Sequence, residues 1–78
     1  MNLLCFGIAK EIMGSADYKV DDATITTVKQ LKEFLMKTYP EFDHYKAFQV
    51  AVNQEFAEDT TALSSTDEIA IIPPVSGG

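Results

Sequence analysis

A chain of 78 residues makes one domain, and at this length only about 60% of the unfolded surface is buried, so the core is small. Six lysines face twelve acids for a net charge of −6, which disfavours nucleic acid as a partner because its phosphates would repel such a surface. One cysteine allows no intrachain disulfide framework, and the N-terminal apolar run is too short for a signal peptide or a membrane span, so a cytoplasmic protein is expected.

Asn2 to Phe6 reads as a first strand, apolar on both alternations and therefore central in its sheet. Gly7 to Met13 reads as a short helical segment, and Gly14 is placed to end it as a left-handed cap. A second, weaker strand is expected over Ala16 to Val20. The main helix begins at Thr27, where Thr27 and Gln30 have capping-box spacing. Val28, Leu31, Phe34, Leu35 and Tyr39 share one face, Lys29, Lys32, Glu33 and Lys37 take the other, and Pro40 ends the helix by Tyr39.

Glu41 to Lys46 reads as a polar loop with aromatic residues in it. Ala47 to Asn53 alternates, with Phe48, Val50 and Val52 on one side, as a half-buried strand does. Asn53-Gln54 is a turn leading to a short strand, Glu55-Phe56-Ala57. Leu63 is expected to plug the core. Ser64 to Asp67 turns the chain into a last strand, Glu68 to Ile72. If Ile69 and Ile71 face inward, Ala70 and Ile72 face outward. An outward Ile72 close to an exposed Phe56 would make an apolar spot suited to docking.

One long helix on a mixed sheet is an α+β roll. The first and last strands are the most apolar, so they are expected side by side and parallel at the centre, with the helix crossing over. Residues 1–72 form the domain and residues 73–78 an extended tail. Charge divides unevenly along this plan. Residues 1–40 carry five lysines and five acids, whereas residues 41–78 carry seven acids against Lys46 alone. The half that leads into the tail suits a basic partner surface, although solubility alone would also account for it.

The body offers little chemistry of its own. Cys5 sits in a strand expected to be buried, where a thiol behaves as a small hydrophobe. His44 is the lone histidine, and one imidazole without a second thiol does not make a usual zinc site, so no metal site is expected. Ser64, Ser65 and Thr66 with Asp67 read as turn formers, and no pair of carboxylates stands out for acid–base work. No glycine loop has phosphate-binding spacing.

The tail, Pro73-Pro74-Val75-Ser76-Gly77-Gly78, is different. The prolines cannot donate to a sheet ladder and favour a stiff, extended segment. At about 3.3–3.6 Å per residue it would reach roughly 20 Å. Gly77 and Gly78 have no side chains, so the end is thin enough to thread into another protein's pocket and present the Gly78 carboxylate. A frayed terminus that happens to end in glycine would share this composition.

From Asp67 onward, D-E-I-A-I-I-P-P-V-S-G-G resembles the C-terminus of the small, sulfur-carrier subunit of molybdopterin synthase. Phe6-Gly7-Ile8-Ala9-Lys10-Glu11 with Gly14 is similar to that family's first strand-to-helix segment, and Ala51-Val52-Asn53-Gln54 to its A-V-N turn. Lys10 stands where arginine is frequent, and Ser76 where alanine is.

The resemblance implies a β-grasp, ubiquitin-like fold and a sulfur carrier of molybdenum cofactor biosynthesis that is not an enzyme on its own. Its Gly78 carboxylate would be adenylated with ATP by a separate ubiquitin-activating-type adenylyltransferase, then converted to a thiocarboxylate. The tail would insert into the large synthase subunit and donate sulfur to cyclic pyranopterin monophosphate, forming molybdopterin within a heterotetramer. Phe56, Ile72, Pro73, Pro74, Val75 and Ser76 would contact partners, and the chain itself would hold no cofactor. Carriers for thiamin or tRNA thiolation, and protein modifiers attached through Gly78, share the fold and the Gly-Gly end.

Overall fold

The computed structural model describes residues 1–45 and 48–73, the side chains of His44 and Tyr45 excepted. Lys46 and Ala47, placed above in a loop and at a strand start, lie outside the described residues, as do Pro74, Val75, Ser76, Gly77 and Gly78 of the tail.

In chain order the elements are β1 (Asn2–Cys5), α1 (Gly7–Met13), β2 (Asp17–Lys19), α2 (Val28–Thr38), a 3-10 helix (Pro40–Tyr45), β3 (Gln49–Val52), β4 (Glu55–Phe56) and β5 (Glu68–Ile72). The strands form one sheet in the order β2-β1-β5-β3-β4. β1 and β5 run parallel, with Leu3 opposite Ile69 and Cys5 opposite Ile71. β2 pairs antiparallel with β1, and β3 pairs antiparallel with both β5 and β4. This is the expected mixed sheet with its two most apolar strands adjacent, and its layout is the β-grasp one.

Alternation along the strands sorts the two faces. Leu3, Cys5, Val50, Ile69 and Ile71 point to one side and are buried, together with Val28, Leu31 and Leu35 of α2. Burying side chains of this size contributes about 1.5–3 kcal/mol each. The helix therefore covers one face of the sheet and leaves the other to solvent.

Helix α2 starts as its sequence requires. The Gln30 N–H donates to Thr27 Oγ1 at 3.3 Å, and Gln30 Oε1 accepts the Thr27 N–H at 3.1 Å, closing the capping box. Helix α1 ends at Gly14, whose φ of 76° is left-handed and whose N–H reaches the Lys10 carbonyl. At Asn53 and Gln54 φ is 52° and 71°, the paired left-handed values of a tight hairpin turn.

One stretch differs from expectation. Pro40–Tyr45 is a 3-10 helix instead of a polar loop, and Phe42 within it is fully buried. Phe42 lies 5.0 Å from Phe48 and 6.4 Å from Tyr39, ring centre to ring centre, and Tyr39 meets Tyr18 edge-on at 5.9 Å. This aromatic chain closes the end of the core beneath α2. Glu41 on one side and Asp43 and His44 on the other hid Phe42 from a reading based on periodicity.

Candidate functional site

The site is the place where β5 runs out of the sheet. Because β1 and β5 are parallel, both chains leave the same edge side by side: β1 into α1, β5 into the tail. Phe6 is still extended (φ −122°, ψ 152°), and Gly7 then turns left-handed, with φ 54°. That turn carries β1 away into α1 and leaves its neighbour a clear lane. Pro73, the first tail residue, occupies it. A Cβ built on Gly7 would sit 3.4 Å from the Pro73 Cγ. Pro73 is half-buried there, so the base of the tail is packed on the body.

The solvent-facing side of the sheet is apolar around this exit. The strand registers place Leu4 opposite Ala70, Ala70 opposite Ala51, and Ala51 opposite Phe56, one row running across four strands. In the next row Ile72 lies opposite Gln49. Phe6 continues the alternation of Leu4 and comes level with Ile72. Phe56 is 67% exposed and Phe6 51%, the two exposed large hydrophobic residues among those described. Ile72 and Ala70 are half-buried, and Ala51 is buried beneath its neighbours.

Phe56 and Ile72 thus share a face, as the sequence implied, with β3 between them. Phe6 and the alanine row were missed. Their signal was present in the sequence, since Leu4 and Phe6 occupy the same alternation, but a strand apolar on both sides gives no clue to which side stays open.

Polar residues ring this patch. Asp17 and Glu68 stand on the open face beside Leu4 and Asn2, Lys19 lies opposite Asn2 in the same row as Glu68, and Gln49 lies beside Ile72. The one ion pair among the described residues, Lys32 with Asp59 at 2.8 Å, lies elsewhere, between α2 and the loop before β5. With Asp17 and Glu68 against Lys19, the rim carries a small acidic excess.

Among the described residues the lone thiol is closed off. Cys5 is 2% exposed, and its thiol donates to Met13 Sδ at 3.4 Å. Burial, helped by the negative charge of Asp17, pushes that thiol's pKa upward, away from a reactive thiolate. Ser64 to Asp67 form the expected turn, in which Asp67 Oδ2 accepts the Ser64 N–H at 2.7 Å. Among the described residues no cluster of histidine, cysteine and acidic side chains is arranged to hold a metal ion. No described helix is long and apolar enough to cross a membrane.

An apolar face with Asp17, Glu68 and Lys19 at its rim, around the point where β5 leaves the sheet, has the composition that suits docking. Comparison with known proteins leads the same way. The sequence profile of the ThiS family matches residues 3–78. A molybdopterin synthase sulfur carrier subunit from Mycobacterium tuberculosis is 38% identical over 80 residues, spanning 100% of this chain and 96% of its own. One from Caenorhabditis briggsae is 33% identical over 81 residues, spanning 100% and 96%. Among solved structures, small archaeal modifier protein 1 of Haloferax volcanii superposes with a TM-score of 0.76 at 26% identity, over 95% of each chain.

Proposed function

We infer a function from one premise: the chain belongs to the ThiS family. It is a sulfur carrier in molybdenum cofactor biosynthesis, the small subunit of a molybdopterin synthase. The observation that carries this reading is the end-to-end match to proteins of that name, which takes in the Pro-Pro-Val-Ser-Gly-Gly tail.

The chemistry belongs to Gly78. A carboxylate is a poor electrophile, so a partner adenylyltransferase first activates it. A carboxylate oxygen attacks the α-phosphorus of ATP, pyrophosphate leaves, and an acyl-adenylate results. A sulfur nucleophile at the hydrosulfide level then attacks the acyl carbon, the C–O bond to AMP breaks, and a thiocarboxylate remains. The charged tail enters the large synthase subunit and gives its sulfur to cyclic pyranopterin monophosphate, and water returns the terminus to the carboxylate. Each molybdopterin carries two sulfurs, so the carrier is recharged or exchanged within each cycle.

The body's part is to be recognised. Phe56 and Ile72, with Phe6 beside them, dock on the large subunit and on the activating enzyme. Pro73, Pro74, Val75 and Ser76 span the distance to the reacting centre, and Gly77 passes the narrow point ahead of Gly78. The chain alone is not an enzyme and holds no cofactor; ATP is bound by its activating partner. The cytoplasm, where the buried Cys5 thiol stays reduced, is its compartment.

The test is intact mass after incubation with ATP, the activating enzyme and a sulfur source. The mass of the protein should rise by the difference between sulfur and oxygen, and deleting Gly78 should abolish both this species and molybdopterin formation while the domain stays folded. A Gly78 deletion that still supports molybdopterin formation would overturn the reading. The likeness to an archaeal modifier protein favours a second role, attachment through Gly78 to lysines, and covalent adducts on other proteins in the same incubation would reveal it.

A further inference from the structure

We propose that Gly7 is a positioning residue for the tail: its missing side chain and left-handed backbone form the berth against which Pro73 rests, and so set the line along which the tail leaves the body.

Three observations carry this. First, the parallel pairing of β1 and β5 forces the two chains to leave the sheet as neighbours, with Cys5 opposite Ile71 in the last paired row. Their backbones stay about 4.8 Å apart until one of them turns, so the residue that turns lies beside the start of the tail. Second, Gly7 makes that turn at φ 54°, a conformation that L-residues with side chains rarely adopt. Third, the position its Cβ would take lies 3.4 Å from the Pro73 Cγ. That is ordinary van der Waals contact. A methyl group fits against the ring, and a longer side chain has to displace it or be turned aside.

Gly14 makes a useful contrast. Its φ of 76° is also left-handed, but a Cβ there would meet nothing within 4 Å. Gly14 answers a backbone need alone, whereas Gly7 answers that need and also faces the first residue of the tail. Proline makes the contact directional. Its ring fixes φ near −65°, so wherever the ring of Pro73 is seated, the backbone that follows starts from a restricted heading. An error of heading at residue 73 grows over the residues that follow it.

This deepens the carrier reading and rests on it. Docking of the body fixes how tightly the activating enzyme holds the chain. The heading of the tail fixes how often a docked chain has its terminus at the reacting centre. Changes at Gly7 should therefore act on kcat, while changes at Phe56 should act on KM.

The experiment compares Gly7→Ala, Gly7→Leu and Gly7→Leu combined with Pro73→Ala, following the rate of thiocarboxylate formation by mass. Both single variants share the left-handed strain, so their difference isolates side-chain length. We expect Gly7→Ala to keep kcat within about twofold and Gly7→Leu to lower it roughly 10- to 100-fold with KM little changed, as small misplacements of reacting groups do. Removing the ring with Pro73→Ala should restore much of the loss. Should Gly7→Leu fail to fold, Gly7→Asn replaces it, because asparagine tolerates positive φ.

Equal kcat for the alanine and longer variants, or no rescue by Pro73→Ala, overturns the proposal. Failure of the wild-type chain to acquire sulfur at all counts against the carrier reading instead. In that event the berth is read by NMR on the uncharged protein. Gly7 Hα should show nuclear Overhauser contacts to the Pro73 ring, and the Val75 amide should shift in Gly7→Leu but not in Gly7→Ala. A Val75 amide that answers neither variant, or both alike, overturns the proposal.

Discussion

Asn53 and Asp67 are joined by a hydrogen bond from Asn53 Nδ2 to Asp67 Oδ1 at 3.0 Å, and the other amide atom of Asn53, Oδ1, accepts the Glu68 N–H at 3.0 Å. The Asn53 N–H also donates to the Glu68 carbonyl at 2.7 Å. The residue that turns the β3–β4 hairpin thus clasps the start of β5. Asn53 has φ 52°, so it does two jobs, and substitutions can separate them. Asn53→Gly keeps the backbone and loses the clasp, which should cost about 1 kcal/mol for exposed hydrogen bonds. Asn53→Ala loses both and should cost about 1–2 kcal/mol more. Urea unfolding of the two variants measures the order; equal destabilisation would show that the left-handed turn is cheap here.

Phe56 is two-thirds exposed in the free chain, so Phe56→Ala should change folding stability by no more than about 0.5 kcal/mol. Binding is another matter, because an aromatic anchor at the middle of an interface is often worth about 2 kcal/mol or more. Calorimetry against the large synthase subunit should show affinity falling by at least roughly tenfold. Ile72→Ala should act in the same direction. Raising the salt concentration should weaken association modestly, since Asp17 and Glu68 outnumber Lys19 on the rim. An unchanged affinity for Phe56→Ala would place the interface elsewhere.

Phe42 is the opposite case. It is wholly buried between Tyr39 and Phe48, and Phe42→Ala should cost about 3–5 kcal/mol through the cavity left behind. In a domain this small that loss is a large share of the total stability. Phe42→Leu keeps most of the volume and should cost much less. Thermal melts followed by near-UV circular dichroism would measure both.

Cys5 gives the fold an alkaline limit. Its thiol is neutral and buried, and its pKa is raised above 9.0 by burial first and by Asp17 second. The unfolded chain releases that proton at lower pH than the folded one does. The contribution is therefore fully present below the unfolded value and is lost as pH climbs through the folded one. Denaturant midpoints measured from neutral pH upward should fall once pH passes about 9, and Cys5→Ala should flatten that part of the curve. In the native protein at neutral pH, thiol reagents should react with Cys5 only as fast as the chain opens.

Much of this arrangement is legible in the chain itself. Thr27 and Gln30 announce the start of α2, Gly14 the end of α1, and the alternation of Ile69 and Ile71 against Ala70 and Ile72 the two faces of β5. Each is a local signal with a local cause. Phe42 was not legible, because six residues of 3-10 helix are too few to show a period. Ala51 was not legible either. Alanine is neutral in any hydrophobic pattern, and its burial on the open face depends on Phe56 and Ala70, which reach it across strands. The berth at Gly7 needs the most information of all, because it exists only once β1 and β5 are known to lie side by side.

That pairing of β1 with β5 also governs how the chain folds. Leu3 meets Ile69 across nearly the whole described sequence, so the centre of the sheet closes only after the ends of the domain have found each other. Local hairpins and helices have no finished layer to rest on until then. Assembly should accordingly be all-or-none and slow for its size, and a break in either end strand should leave fragments that cannot fold singly but can complement one another when mixed.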